Sequence, residues 1–269
     1  NKRFNTLIES YANYFEFEVI NDCSMGVQGA CSEIRINGQS VSLDQAHHLR
    51  VNDRIQLFNN TYGAILYLAM AGGFTATEVL GSTSTDIANG LGGLNGLPLA
   101  SQDILKGSKF NMPRRMRSIP EGLSSRGYFS KNATVHVISG PEAYLFTKEV
   151  IDNFYSYAFL LSAEISRVGY RLTGHPIHAD SYNIPSKTVL PGTIQIPPSG
   201  DPIILMADGP VTGGYPRMGV VAKVDQPILA QLRSGGRVRF LACLPEEARL
   251  REANQRQWIE ELYHKKTER

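Results

Sequence analysis

The stretch Asp208-Gly-Pro-Val-Thr-Gly-Gly-Tyr-Pro-Arg217 sets an acid, a hydroxyl, two adjacent glycines, a phenol and a guanidinium within ten residues. Apolar runs flank it on both sides, Pro202–Ala207 before and Gly219–Ala222 after. A hairpin needs about two turn residues, so this bend carries more chemistry than chain reversal requires. Gly213-Gly214 lets backbone approach a ligand closely and turn N–H groups toward an anion. Asp208 adds an acceptor, Thr212 a hydroxyl, Tyr215 a ring with a polar tip, and Arg217 a fork that matches a carboxylate. The same residues also suit a decorated turn that only joins two strands.

Other polar residues extend the possibility of a site. Arg167 and Arg171, four apart, are either solvated or clamp a carboxylate bidentately. Gln195 lies between Ile194 and Ile196 and needs partners if it faces inward. The loop Gly81-Ser-Thr-Ser-Thr-Asp86 offers Ser82 and Ser84 to an anion, or is an ordinary hydroxyl-rich turn. Gly90-Leu-Gly-Gly-Leu-Asn-Gly96 fails as a dinucleotide fingerprint: Asn95 stands at the third glycine position and no strand–helix–strand unit surrounds it. His175 and His178 flank Pro176 without carboxylate or thiol support, so they read as a loop pair and no metal site is expected. There is no Walker A motif. Met70 is followed by Ala71 and not Lys, so no biotin attachment site is expected on this chain.

Elements must hold these groups in place. The texture is mostly period two. Phe15–Val19, Arg54–Phe58, Thr134–Ile138, Thr193–Ile196, Pro202–Ala207, Gly219–Val224 and Arg237–Leu241 read as strands. Glu33–Ile36 and Gln39–Leu43 flank Asn37-Gly38, a strong hairpin signal. Helices are expected from Pro141-Glu142 through Phe154, over Gln226–Arg233, and from Pro245 to Tyr263. The polar stretch 107–130, with Pro113-Arg-Arg-Met-Arg117, reads as a linker. The fold expected is mainly β with a few helices, in two barrel-like domains over 1–125 and 126–269.

Composition narrows the function classes. The 269 residues are 42% hydrophobic and 19% charged, with net charge +2, so a nucleic-acid partner is not expected. Three cysteines give neither a disulfide framework nor a zinc site and suit a reducing cytoplasm. No apolar run reaches the ~18 residues of a membrane span. The sequence starts at Asn1 and not Met, which leaves open a leader or an N-terminal piece ahead of it.

Several of these blocks, in order, resemble the biotin-dependent carboxyltransferase-like family. They are Ala71-Gly-Gly-Phe74, Leu80–Asp86, Gly92-Gly93 with Gly96, Ser139-Gly-Pro141 and Phe146-Thr147. Arg167-Val-Gly-Tyr-Arg-Leu172, Pro191–Pro197 and Asp208–Pro216 follow. The resemblance covers roughly residues 60–240. The family includes the C-subunit of bacterial 5-oxoprolinase, the KipA proteins and the matching part of urea carboxylase. Departures are Ser166 for an acid, Ser186-Lys187 for Ser-Glu, Asp208-Gly-Pro-Val-Thr212 for Asp-Arg-Gln-Thr-Thr, and no Gln-Asp-x-Gly-Arg motif.

The resemblance implies two cyclophilin-like β-barrels, a KipI-type partner (the B-subunit class) and a third, lactam-utilisation-type component. It implies a complex that uses ATP to open the 5-oxoproline lactam to glutamate. Arg167 or Arg171 would then hold the substrate carboxylate, and Gly213 and Gly214 would line the oxyanion or phosphate. Asp208 would orient Thr212 or a water, and Tyr215 and Gln195 would position the ring amide. Two alternatives stay open: carboxyl transfer from carboxybiotin to urea or a similar amide, and a KipA-type regulator that antagonises a sensor-kinase inhibitor.

Overall fold

The computed structural model describes residues 5–59, 62–107 and 129–264. Two compact units, Asn1–Gly127 and Tyr128–Arg269, divide the chain. Most of the polar stretch read as a linker, Pro113-Arg-Arg-Met-Arg117 included, lies outside the described residues.

In the N-terminal unit the strands are β1 (Ile8–Ser10), β2 (Tyr14–Glu18), β3 (Cys23–Gly29), β4 (Cys31–Ile36), β5 (Gln39–Val41), β6 (His47–Leu49), β7 (Arg54–Asn59) and β8 (Leu66–Met70). They form two four-stranded antiparallel sheets, β1-β8-β3-β6 and β2-β7-β4-β5. The expected hairpin is β4–β5. Asn37 and Gly38 take φ of 52° and 82°, the two positive angles a type I′ turn needs. Met25, Ile34, Leu49, Ile55, Leu57, Leu66 and Leu68 bury their side chains as the core.

After Met70 the chain runs through isolated bridges, Phe74–Gly107, Thr77–Gly93 and Asp86–Leu91 among them. The glycine-rich stretch folds on itself here. Gly92 (φ 68°) leaves no room for a Cβ against the Ser84 carbonyl, nor Gly96 (φ 71°) against the Gly90 carbonyl. Close backbone approach therefore accounts for these glycines without a nucleotide.

The C-terminal unit contains β9 (Asn132–Ser139), α1 (Lys148–Ser156), β10 (Ala158–Ile165), β11 (Gly169–Thr173), β12 (Lys187–Thr188), β13 (Thr193–Gln195) and β14 (Ile203–Leu205). It continues with β15 (Thr212–Gly213), β16 (Arg217–Val221), α2 (Gln226–Ala230), β17 (Arg237–Ala242) and α3 (Pro245–His264). Seven strands close a barrel in the order β10-β11-β14-β13-β16-β9-β17, and β12 pairs with β15 as a separate ribbon. Barrel neighbours are antiparallel except β17 and β9, which run parallel over Arg237–Ala242 and Asn132–Val137. Closure removes the open sheet edges.

Alternation fills the barrel: Val135 and Val137 of β9, and Val238 and Phe240 of β17, are fully buried. α1 packs over β17 and stacks Phe154 on Phe240 at 4.6 Å between ring centroids.

One helix start differs from the expectation. Pro141-Glu142 enters only a 3-10 turn, Ala143–Leu145. The α-helix begins at Lys148, where the Thr147 side chain accepts from the Val150 N–H. No side chain caps the earlier turn, because the Glu142 carboxylate is engaged in the site described below, whereas Thr147 caps α1.

Candidate functional site

Glu142 is a fully buried acid, 1% exposed. It follows Ser139-Gly140-Pro141, where β9 ends beside β16. A Cβ on Gly140 would collide with the Arg217 carbonyl, so glycine is what lets the two backbones meet. Glu142 then reaches the Arg217 side chain. Arg217 donates Nε to Oε2 at 2.5 Å and Nη2 to Oε1 at 2.7 Å. The Lys187 ammonium donates to the same Oε1 at 3.1 Å. Arg217 also donates Nη1 to the Thr188 carbonyl at 2.8 Å, tying β16 to β12. The Arg217 guanidinium holds the Glu142 carboxyl down at about 2, with Lys187 adding to the effect against the cost of burial. One carboxylate and two cations leave the cluster with one net positive charge.

Gln195 adjoins this cluster. It is the register partner of Arg217, beside a bulge in the β13–β16 ladder that skips Met218. Gln195 is 5% exposed, and its Nε2 is buried without a hydrogen-bond partner. Only one other buried side-chain atom among the described residues shares that condition, Asn59 Oδ1 in the N-terminal unit. An unpaired buried donor costs about 1–3 kcal/mol and calls for an explanation.

Gly213 covers this amide. A Cβ on Gly213 would run into Gln195 Nε2. Across the ribbon Gly213 faces Lys187, and Thr212 faces Thr188. Glu142, Arg217, Lys187, Gly213 and Gln195 are thus successive neighbours around one spot. The spot combines an unpaired amide donor buried beneath Gly213, a half-exposed ammonium and a net positive charge. These groups suit the carbonyl and carboxylate oxygens of a small acid or amide.

The residues expected from sequence fall in several places. Gln195 and Gly213 belong to the cluster, and Thr212 precedes Gly213 on the ribbon, opposite Thr188. Gly214 and Tyr215 follow in the chain; Tyr215 is 43% exposed, and a Cβ on Gly214 would meet nothing. Arg167 and Asp208 are brought to each other, with Arg167 donating Nε to Oδ2 at 2.6 Å and Nη2 to Oδ1 at 3.0 Å. Arg171 donates its Nε to Glu164 at 2.8 Å. Both arginines therefore already hold acids. Ser82 and Ser84 lie in the N-terminal unit, where Ser82 Oγ accepts the Ser84 N–H at 3.2 Å.

Sequence reasoning missed Glu142 and Lys187. The signal for Glu142 was its place directly after Gly140-Pro141, which reads equally as a helix start. His175, one of the two loop histidines, stacks on Tyr157 at 3.9 Å between centroids. Among the described residues no group of three or more His, Cys, Asp or Glu could hold a metal ion. Burial raises the Cys23 and Cys243 thiols above their ordinary values, which disfavours the nucleophilic thiolate. No described helix is long and apolar enough to cross a membrane.

A second polar cluster anchors α3. Buried Asp225 accepts the His136 N–H at 2.8 Å and Arg251 Nη2 at 3.0 Å, and its Oδ2 lies 2.8 Å from His136 Nδ1. Arg251 lies on α3, so this cluster ties the helix to β9 and to the turn before α2.

Comparison with known proteins places this geometry among relatives. Residues 1–242 match the family described as carboxyltransferase domain, subdomain A and B. The 5-oxoprolinase C-subunit of Escherichia coli is 32% identical over 92% of this chain and 77% of its own length. That of Haemophilus influenzae is 29% identical over 87% of this chain and 74% of its own. Among solved structures, the Kluyveromyces lactis urea amidolyase superposes with a TM-score of 0.84 at 23% identity. It is matched over 92% of this chain but only 16% of that much longer one.

Proposed function

The chain belongs to the carboxyltransferase domain family, subdomains A and B, and from that premise we propose that it is the C-subunit of a 5-oxoprolinase complex. The complex would open the lactam of 5-oxoproline to glutamate with partner subunits, a KipI-type chain of the B-subunit class and a lactam-utilisation-type chain. The identity to the Escherichia coli protein supports the reading. The observation that carries the chemistry is the buried, unpartnered Gln195 Nε2. A substrate carbonyl oxygen is the acceptor it lacks.

In this reading Gln195 donates to the lactam oxygen and draws electron density from the carbonyl carbon, which water attacks. The ring C–N bond breaks, the nitrogen takes a proton, and glutamate results. The Glu142–Arg217 pair fixes the start of β16, where Arg217 is the register partner of Gln195. Thr212 and Tyr215 stand at the ribbon end of the site to order the water and the ring.

A lactam is a poor electrophile, and ATP supplies the drive for opening it. Gly213-Gly214 does not fit a helix-capped phosphate loop. Gly213-Gly214 runs into strand β16, not into the helix N-terminus that such loops use. In this reading the partner subunits bind ATP and couple its hydrolysis to opening the lactam that Gln195 holds. The cytoplasm, where such a complex would meet ATP, is the expected location.

Gln195→Met in the assembled complex tests this. It is expected to lower turnover of 5-oxoproline about 10- to 100-fold, with the complex still assembling. Unchanged turnover would remove Gln195 from the reaction.

Carboxyl transfer to a urea-like amide is the second reading, supported by 27% identity to the Lachancea kluyveri urea amidolyase over 92% of this chain. An amide carbonyl suits Gln195 equally. Biotinylated protein retained by this chain would favour it.

A further inference from the structure

We infer that Lys187 is the residue that selects a substrate bearing a carboxylate, with Gln195 reading the carbonyl of the same molecule. The inference rests on the oxoprolinase reading and gives it a basis for specificity.

The sequence suggested Arg167 or Arg171 for the carboxylate. Arg167 already makes a two-point contact with Asp208, and Arg171 holds Glu164. Lys187 differs from both. It uses one of its three ammonium hydrogens, on Glu142, and its side chain is 46% exposed. A solute can therefore reach the remaining two.

The ammonium is also fixed. Glu142 is buried and held ionised by Arg217, so it anchors Lys187 without cancelling it: the cluster keeps a net positive charge. A lone surface lysine would lose rotamer freedom on binding an anion, whereas this one is partly ordered beforehand.

Placement supplies the second point. Lys187 faces Gly213 across the β12–β15 ribbon, and Gly213 lies against Gln195 Nε2. Glu142 joins Lys187 to Arg217, the register partner of Gln195. Two independent routes thus lead from the ammonium to the unpaired amide. A lactam with a carboxylate on its ring presents a carbonyl oxygen and an anion on one rigid frame. A donor and a cation linked through Gly213 and through Glu142–Arg217 fit that frame, and a lactam without the carboxylate leaves Lys187 unused.

The test uses Lys187→Met and Lys187→Glu. Lys187 is half exposed, so both variants are expected to fold. Steady-state kinetics of the complex with 5-oxoproline and with 2-pyrrolidone, its carboxylate-free counterpart, read the selection. Lys187→Met is expected to raise KM for 5-oxoproline about 10- to 100-fold with a smaller change in kcat. The preference over 2-pyrrolidone should shrink by the same factor, and Lys187→Arg should restore part of it. An unchanged preference in Lys187→Met would overturn the inference while leaving the oxoprolinase reading intact.

Calorimetry on the isolated chain separates the two claims. If the wild-type complex makes no glutamate, 5-oxoproline binding that is lost in Lys187→Glu still supports the carboxylate site. Equal binding by wild type and Lys187→Glu overturns it.

Discussion

Gly213 lies against the side-chain amide of Gln195 so closely that a single added methyl group would displace it. The amide it touches is buried and lacks a partner. Gly213 does not need glycine for its φ, so alanine there is a local change and not a backbone disruption. Gly213→Ala is expected to fold with a melting temperature within a few degrees of wild type and to lose turnover at least about 10-fold. Neighbouring Gly214→Ala, where the added carbon meets nothing, should keep nearly full turnover. Steady-state kinetics on the two assembled complexes compare them directly.

Glu142 gives the fold a pH signature. Its carboxyl is held down at about 2 by Arg217 and Lys187, from an ordinary value of 4.5. A group with a depressed folded pKa stabilises the fold fully above its unfolded value, and that contribution is lost as pH falls toward the folded one. Glu142→Gln leaves Arg217 buried without its anion and should cost about 3 kcal/mol or more near neutral pH. The gap between wild type and variant should narrow as pH drops from about 4.5 toward 2. Thermal melts across that range measure it. A gap that is flat with pH would contradict the assignment.

Asp225 should act on α3 and not on the site. It is buried and accepts from His136 on β9 and from Arg251 on α3. In Asp225→Asn the Arg251 contact loses its charge, and the α3 amides should exchange hydrogen faster while the β9 and β17 amides stay protected. Hydrogen-exchange mass spectrometry separates the two. Equal loosening of barrel and helix would show that the cluster supports the whole unit.

The Arg167–Asp208 pair separates exposed pairing from chemistry. Both side chains are more than a third exposed, so Arg167→Ala should change stability by about 1 kcal/mol or less. With Lys187 as the carboxylate residue, the KM for 5-oxoproline should move less than about threefold. A KM rise as large as that of Lys187→Met would return the carboxylate to Arg167.

The sequence carried much of the fold because the strands announce themselves locally. Phe15-Glu-Phe-Glu alternates as β2 does, and Asn37-Gly38 can hardly sit anywhere but a type I′ turn. Strand β10 was harder to see, since Ala158–Ile165 mixes Ser, Ala and Glu into its apolar run. The site was half legible. Gln195 stood out as a polar residue between two isoleucines, and Gly213 as part of a glycine pair. Glu142 and Lys187 did not, because their meaning is made by pairing between strands distant in sequence. Glu142 and Arg217 are 75 residues apart and meet only when β9 closes against β16. For the same reason Arg167 and Asp208 read as separate site residues, although the fold joins them to each other.

The central claim is most directly tested by glutamate formation. This chain, co-purified with its candidate partner subunits, is supplied with ATP and 5-oxoproline, and glutamate is scored with and without the chain. The account predicts glutamate only when the chain is present, and its loss in Gln195→Met. Glutamate formed equally well without the chain, or none from a complete and stable complex, would contradict it.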